Sequence, residues 1–169
     1  WQRTLDFTSG IDSTYKEYQV HVINAHPEEN ARVLSFQTDT GTNTSYNQTV
    51  TCTHFTTRHH EDASATSLGY DTGSDLAQST NFIPLTSGST ANNNDDNCCS
   101  ILHLFDPSST TFVKHFTVRT QNINSTSDPN SNESYVAGYF NTTTALTRIQ
   151  FKFSSGNIDA GTFKLYGIK

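Results

Sequence analysis

The chain has 169 residues, 33% of them hydrophobic, with ten basic against sixteen acidic residues and a formal net charge of −6. That length suits one domain, residues 1–169, burying on the order of 70% of its unfolded surface. The scattered basic residues argue against nucleic acid as a partner, since phosphate recognition needs clustered Lys and Arg. No apolar run approaches the roughly 20 residues of a spanning helix, so no membrane insertion is expected.

Thr, Ser and Asn are abundant, and Phe and Tyr supply much of the apolar content. Thr and the aromatics favour strands, whereas Ser and Asn favour turns and exposed loops. The apolar residues follow a period of two rather than 3.6. A first strand is expected over Arg3–Thr8. The second, Lys16–Asn24, places Tyr18, Val20 and Val22 on one face and Gln19 and His21 on the other, and Pro27 ends it. Arg32–Gln37 follows, then a turn over Thr38–Ser45. Tyr46–Thr57 alternates, with Tyr46, Gln48, Val50, Cys52 and His54 on a shared face.

Glu61–Ser79 reads as a polar loop with few apolar anchors. Phe82–Leu85 is a short strand whose Pro84 suits a sheet edge. Ser87–Asn97 is a second loop. Ser100–Phe105 and Phe112–Gln121 pair as a hairpin, and Asn122–Ser134 is a third polar loop. Tyr135–Phe140, Leu146–Phe153 and Thr162–Ile168 complete the strands. In Phe151–Lys169, Phe151 and Phe153 share one face and Phe163 and Leu165 another. The turn-forming residues between them predict a closing β-hairpin, so that the terminus is held in a sheet.

These strands predict an all-β fold: a two-sheet antiparallel β-sandwich, jelly-roll-like. The expected core comprises Tyr18, Phe36, Phe116, Ile149, Phe151, Phe153, Phe163 and Leu165. Cys52, Cys98 and Cys99 lack the density of a disulfide framework and read as buried free thiols.

Several constellations invite chemistry. Asp39-Thr40-Gly41 and Asp71-Thr72-Gly73 repeat the triplet of aspartic proteases, but they lie too close in sequence for separate lobes and read as turns. His54, His59 and His60 with Glu61 and Asp62 lack a metal-ligand spacing, and His59 and His60 point to opposite faces of a strand. Asp71–Asp75 and Asn94–Asp96 offer oxygens for calcium without the EF-hand pattern. Glu17, Glu28, Glu29, Glu61, Asp62 and Glu133 are the carboxylates a glycan-cleaving enzyme would need in a pair, and sequence does not pair them. No catalytic, cofactor-binding or metal-binding residue is therefore assigned, no cofactor is implied, and receptor-binding residues are not identified. N-glycosylation sequons occur at Asn43, Asn47, Asn124, Asn132 and Asn141, meaningful only in a eukaryotic source.

The segment SSGNIDAGTFKLYGIK, at the C-terminus, resembles the closing signature of a β-sandwich domain that recurs in virion proteins of tailed bacteriophages. These include tail-fibre, tip and other exterior structural proteins. Tyr15–Asn24 is similar to the family's early strand, Ala31–Gly41 to its next strand and turn, and Phe105–Ser109 to its mid-domain strand end. The order and spacing match over nearly the whole chain. Thr49–Asp62 and Asn92–Cys99 depart from the family pattern, which leaves any shared ligand open.

The resemblance implies a non-enzymatic virion structural protein, the exterior β-sandwich of a tail fibre, tip or head decoration. It would act in assembly and host-surface adhesion after assembly in the bacterial cytoplasm. Other virion subunits and a host-surface glycan are the implied partners, and a homotrimer is implied by the trimeric habit of tail-fibre relatives. The alternative from another class is a free-standing, lectin-like carbohydrate-binding module of the same fold.

Overall fold

Alternation of apolar and polar side chains builds most of the strands. The computed structural model describes residues 2–124 and 129–169, and among these there are twelve strands and no helix. They are β1 (Leu5–Phe7), β2 (Glu17–Pro27), β3 (Leu34–Thr40), β4 (Val50–His60), β5 (Thr66–Tyr70) and β6 (Leu76–Ser79). Then come β7 (Ile83–Pro84), β8 (Cys98–Phe105), β9 (Lys114–Asn124), β10 (Asn130–Phe140), β11 (Leu146–Phe153) and β12 (Ile158–Ile168). All strand pairs are antiparallel, and they form two sheets packed as a sandwich. The smaller has the order β1-β11-β3-β7. The larger runs β12-β2-β8-β9-β10-β4-β5, with β6 also pairing on β4.

The pairings are nested: β2 with β12, β3 with β11, β4 with β10, and β8 with β9. This nesting is the folded-ribbon logic of a jelly roll. The innermost pair departs from the regular form by joining the larger sheet between β2 and β10. One sheet is therefore much wider than the other and overhangs it at β5.

Three expectations are corrected. Phe151–Lys169 is not a hairpin, because β11 pairs with β1 and β3 in the small sheet while β12 pairs with β2 in the large one. The intervening turn, with Gly156 at φ 70°, crosses between sheets, and both apolar faces meet across the core instead of along one ladder. Glu61–Ser79 is not a loop throughout, since it holds β5 and β6. Its polar residues suit an edge whose faces both meet solvent. Asn122–Ser134 is likewise strand at both ends, β9 running to Asn124 and β10 beginning at Asn130; residues 125–128 of that expectation lie outside the described residues.

The alternation of Tyr46–Thr57 begins as strand only at Val50. Tyr46 is buried in a left-handed conformation (φ 47°), held where its N–H donates to Asp39 Oδ2 at 2.8 Å.

Phe36 sits centrally in the core, its ring centroid 5.3 Å from Phe116, 6.2 Å from Phe140 and 6.0 Å from Phe151. Tyr18, Ile149 and Phe153 are buried with it, and Phe163 and Leu165 pack against the cluster from β12. Pro84 lies on an edge strand, paired among the described residues only with β3. Cys52, Cys98 and Cys99 are free thiols, the first two buried and the third partly exposed. Burial pushes Cys52 to about 11 and Cys98 to about 12, so neither forms thiolate near neutrality.

At one end the interior turns polar. His54 and Thr56 on β4, Thr120, Asn122 and Asn124 on β9, and Asn130, Asn132 and Ser134 on β10 are buried there. The chain from Leu85 to Ala91 covers them where the small sheet has ended. Asn132 is fully buried, so its sequon is closed to glycosylation in the folded chain.

His54 is fully buried and neither ring nitrogen makes a hydrogen bond meeting normal geometry. Burial lowers its pKa below the ordinary 6.5, outweighing the Asp71 and Asp75 carboxylates and a Ser74 backbone group that favour the charged form. The unfolded chain thus takes up this proton first. Stability is expected to fall as pH drops below 6.5, with a slope of at most about 1.4 kcal/mol per pH unit from this group. Urea titrations at pH 7.5, 6.5 and 5.5 check this. His54→Gln should flatten the slope, and an unchanged slope would remove His54 as its cause.

Candidate functional site

The outer side of the large sheet brings together residues distant in sequence. Cross-strand register aligns Lys164 (β12), His21 (β2), Ile101 (β8), Arg119 (β9), Tyr135 (β10), Phe55 (β4) and Tyr70 (β5) in one transverse row. Directly paired residues share a face, and the alternate positions on these strands are buried, so the row points to solvent. Across seven strands at a spacing of about 4.8 Å, the row is about 29 Å long.

Its middle is rigid. The Phe55 and Tyr135 rings lie 4.7 Å apart, parallel to within 6°. Parallel rings this close must stack face to face, so they stand upright on the sheet. The Arg119 guanidinium lies 5.7 Å from the Tyr135 ring centroid, favoured by the ring's quadrupole. Arg119 Nε donates to Glu133 Oε1, and Tyr135 Oη donates to Glu133 Oε2 at 2.9 Å. The Arg119 bond, reinforced by the Tyr135 hydroxyl, holds Glu133 below the usual carboxylate range despite its partial burial. The hydrogen bond to Glu133 raises Arg119 in turn. Both stay charged at neutral pH.

Beside this stack runs an open groove of about 420 Å³. Ile23 and Ile101 supply apolar surface, while His21, Arg119, Gln121 and Glu133 place donors and acceptors along it. Cys99 lies in the same groove. A second polar chain continues across β2 and β8: His21 Nε2 meets Gln19 Oε1 at 3.2 Å, and His103 Nδ1 meets Glu17 Oε1 at 2.7 Å. Gln19 Nε2 also donates to Glu17 at 3.0 Å, and these bonds lower the Glu17 pKa. At the far end Tyr70 and Leu68 are 55% and 74% exposed, an unusual concentration of apolar surface on an edge strand.

The residues weighed for catalysis or metal binding do not converge. His54 faces the interior and His59 is exposed on the other side of β4. No three His, Cys, Asp or Glu side chains among the described residues gather as metal ligands. Asp39 and Asp71 lie in different parts of the molecule, each as a turn former. Asp39 accepts from the N–H of Thr40 and of Tyr46, both at 2.8 Å, and Asp71 accepts from the Gly73 N–H at 3.0 Å. Glu28 holds Asn157, Glu29 holds Arg32, and Glu133 holds Arg119.

Sequence reasoning did not identify the row. Its only linear signal is that aromatic or basic residues occupy outward positions of half-buried strands, as His21, Arg119 and Phe55 do. Comparison with protein-family models, curated proteins and solved structures gives no match.

Proposed function

We propose that this chain is a non-enzymatic adhesion domain, the exterior β-sandwich of a bacteriophage tail fibre, tip or head, which contacts a glycan through the outer side of its large sheet. The transverse row carries the adhesion part of this reading. The exposed surface of Phe55 outside the stack, Tyr70 and the isoleucines offer apolar area to the C–H faces of sugar rings. Arg119, Glu133, Gln121 and His21 offer the alternating donors and acceptors that hydroxyl groups require. The virion setting rests on the resemblance of the C-terminal segment. A homotrimer and contacts with other virion subunits follow from that same resemblance. The second reading, a free-standing carbohydrate-binding module, is favoured by the same groove and differs only in having no particle to assemble on.

Glycan-array screening, followed by alkylation of Cys99, tests the adhesion. Cys99 should react with a maleimide in the folded protein while Cys52 and Cys98 do not, because burial suppresses their thiolates. A bound oligosaccharide should slow that reaction, and Tyr135→Ala should weaken binding on the order of tenfold through loss of the stack. An oligosaccharide that binds without protecting Cys99 and is indifferent to Tyr135→Ala would refute the row as the site. Cryo-electron microscopy of intact particles separates the two settings: copies on tail or head support the virion reading, and absence from particles favours the free-standing module.

A further inference from the structure

The overhang of the large sheet creates a cleft on its inner side, away from the row. Every residue of β5 is exposed, because the small sheet does not reach it. Register sets Gly69 opposite Thr56 and Ser67 opposite Arg58. Thr56 is buried, so these four positions face inward. Ser87 and Gly88 form the opposing wall, and Asp71–Ser74 closes one end, leaving about 450 Å³. That is the size range of small-ligand sites.

The wall is fixed rather than loose. The Ser87 N–H donates to Ser134 Oγ at 2.8 Å, and its carbonyl accepts from Asn132 Nδ2. Asn132 is held in turn by Thr56 Oγ1, which donates to its Oδ1 at 2.5 Å. Arg58 donates to Ser87 Oγ only weakly, at 3.4 Å, and makes no ion pair among the described residues. Its Nε is buried without a hydrogen-bond partner among the described residues. That nitrogen is closed to the cleft, but the residue is only half-buried and lines it, so the terminal nitrogens, one of which makes that long bond to Ser87, are the donors a ligand oxygen meets. Asp71 presents the complementary charge. Burial opposes its ionisation, but the Ser87 and Ser74 hydroxyls and the Gly73 N–H together hold it below the usual carboxylate range. A Cβ built on Gly69 meets nothing within 4 Å, so a ring can lie against the bare strand there.

We propose that this cleft is a second binding site, taking one neutral sugar ring or a polyol of similar size. Arg58 donates to ligand hydroxyls, Asp71 accepts from them, and Ser67 and Ser87 do either. The ligand is neutral because the two opposite charges share one small cleft, and a carboxylate ligand would meet Asp71. This extends the adhesion reading to the other side of the sheet, and it stands or falls apart from the outer row.

The test is ¹H–¹⁵N NMR titration of the whole chain with methyl glycosides of glucose, galactose and N-acetylglucosamine, with glucuronate as the anionic control. At least one neutral glycoside should shift the amides of Thr56–Gly73 and Ser87–Gly88 at millimolar concentration. Arg58→Gln should weaken it on the order of tenfold. Gly69→Tyr, which fills the cleft from an edge strand with space to receive it, should abolish binding with a melting temperature no lower than that of the wild type. Tyr135→Ala, on the outer row, should leave it unaffected. No shift with any neutral glycoside, tighter binding of glucuronate, or wild-type binding by Gly69→Tyr would each overturn the proposal. A melting temperature lowered by Gly69→Tyr passes the decision to Arg58→Gln, whose unchanged affinity would also overturn it.

Discussion

Phe36→Ala is expected to destabilise the domain by about 3–5 kcal/mol, the range for emptying a buried aromatic site. At roughly 2–4 °C per kcal/mol for a domain of this size, the melting temperature should fall by about 6–20 °C. Phe36 is fully buried and lies against Phe116 and Phe140 of the large sheet as well as Phe151 of its own. Its loss removes apolar burial and leaves a void between sheets whose backbones are pinned by ladder hydrogen bonds, so the site collapses poorly. Phe112 supplies the contrast. It is 68% exposed, and Phe112→Ala should stay within about 0.5 kcal/mol of wild type. Urea denaturation of both variants measures the difference. A Phe36→Ala loss under about 1 kcal/mol would mean that the sheets do not meet through this ring.

Gly138→Ala is expected to be strongly destabilising for the addition of a single methyl group to a strand. A Cβ at Gly138 would come within 2.4 Å of the Thr51 carbonyl oxygen, 2.7 Å of Cys52 Cβ and 2.8 Å of the Phe116 ring. The first contact is backbone, in a strand paired along its whole length, so relief requires moving β4 away from β10. Overpacking of this kind costs about 1–3 kcal/mol, and the backbone contact places the expectation at the upper end. Gly69→Ala is the matched control. It too is a strand glycine, but its added carbon meets nothing, and replacing glycine by alanine in a strand gains about 0.5–1 kcal/mol where space allows. The two substitutions should therefore differ in sign in the same denaturation assay. Equal effects would show that strand propensity rather than packing governs both sites.

The sequence by itself determined which residues go inside wherever one face of a strand is apolar. Tyr18, Val20 and Val22, Phe151 and Phe153, and the β8–β9 hairpin are all legible from period-two patterning, because burial of alternate side chains is a local property of an extended chain. Patterning fails where no apolar face is buried. β5 is exposed throughout, and the facing ends of β9 and β10 bury Asn122, Asn124, Asn130 and Asn132 beneath the Leu85–Ala91 segment. Those stretches carry too little hydrophobic signal (Leu68 and Tyr70 in β5, Ile123 in β9) and read as loop, yet their backbones find ladder partners all the same.

Pairing itself was decided only by the tertiary structure. Alternation states which way a side chain points but not which strand lies beside it, and so the closing segment read as a hairpin although β11 and β12 belong to opposite sheets. The row from Lys164 to Tyr70 exists only because register across seven strands aligns residues separated by as much as the whole length between β2 and β12. The cleft at Gly69 likewise depends on β8 and β9 entering the large sheet and making it wider than its partner. The core is written in local periodicity, whereas both candidate sites are products of long-range strand order, which periodicity does not encode.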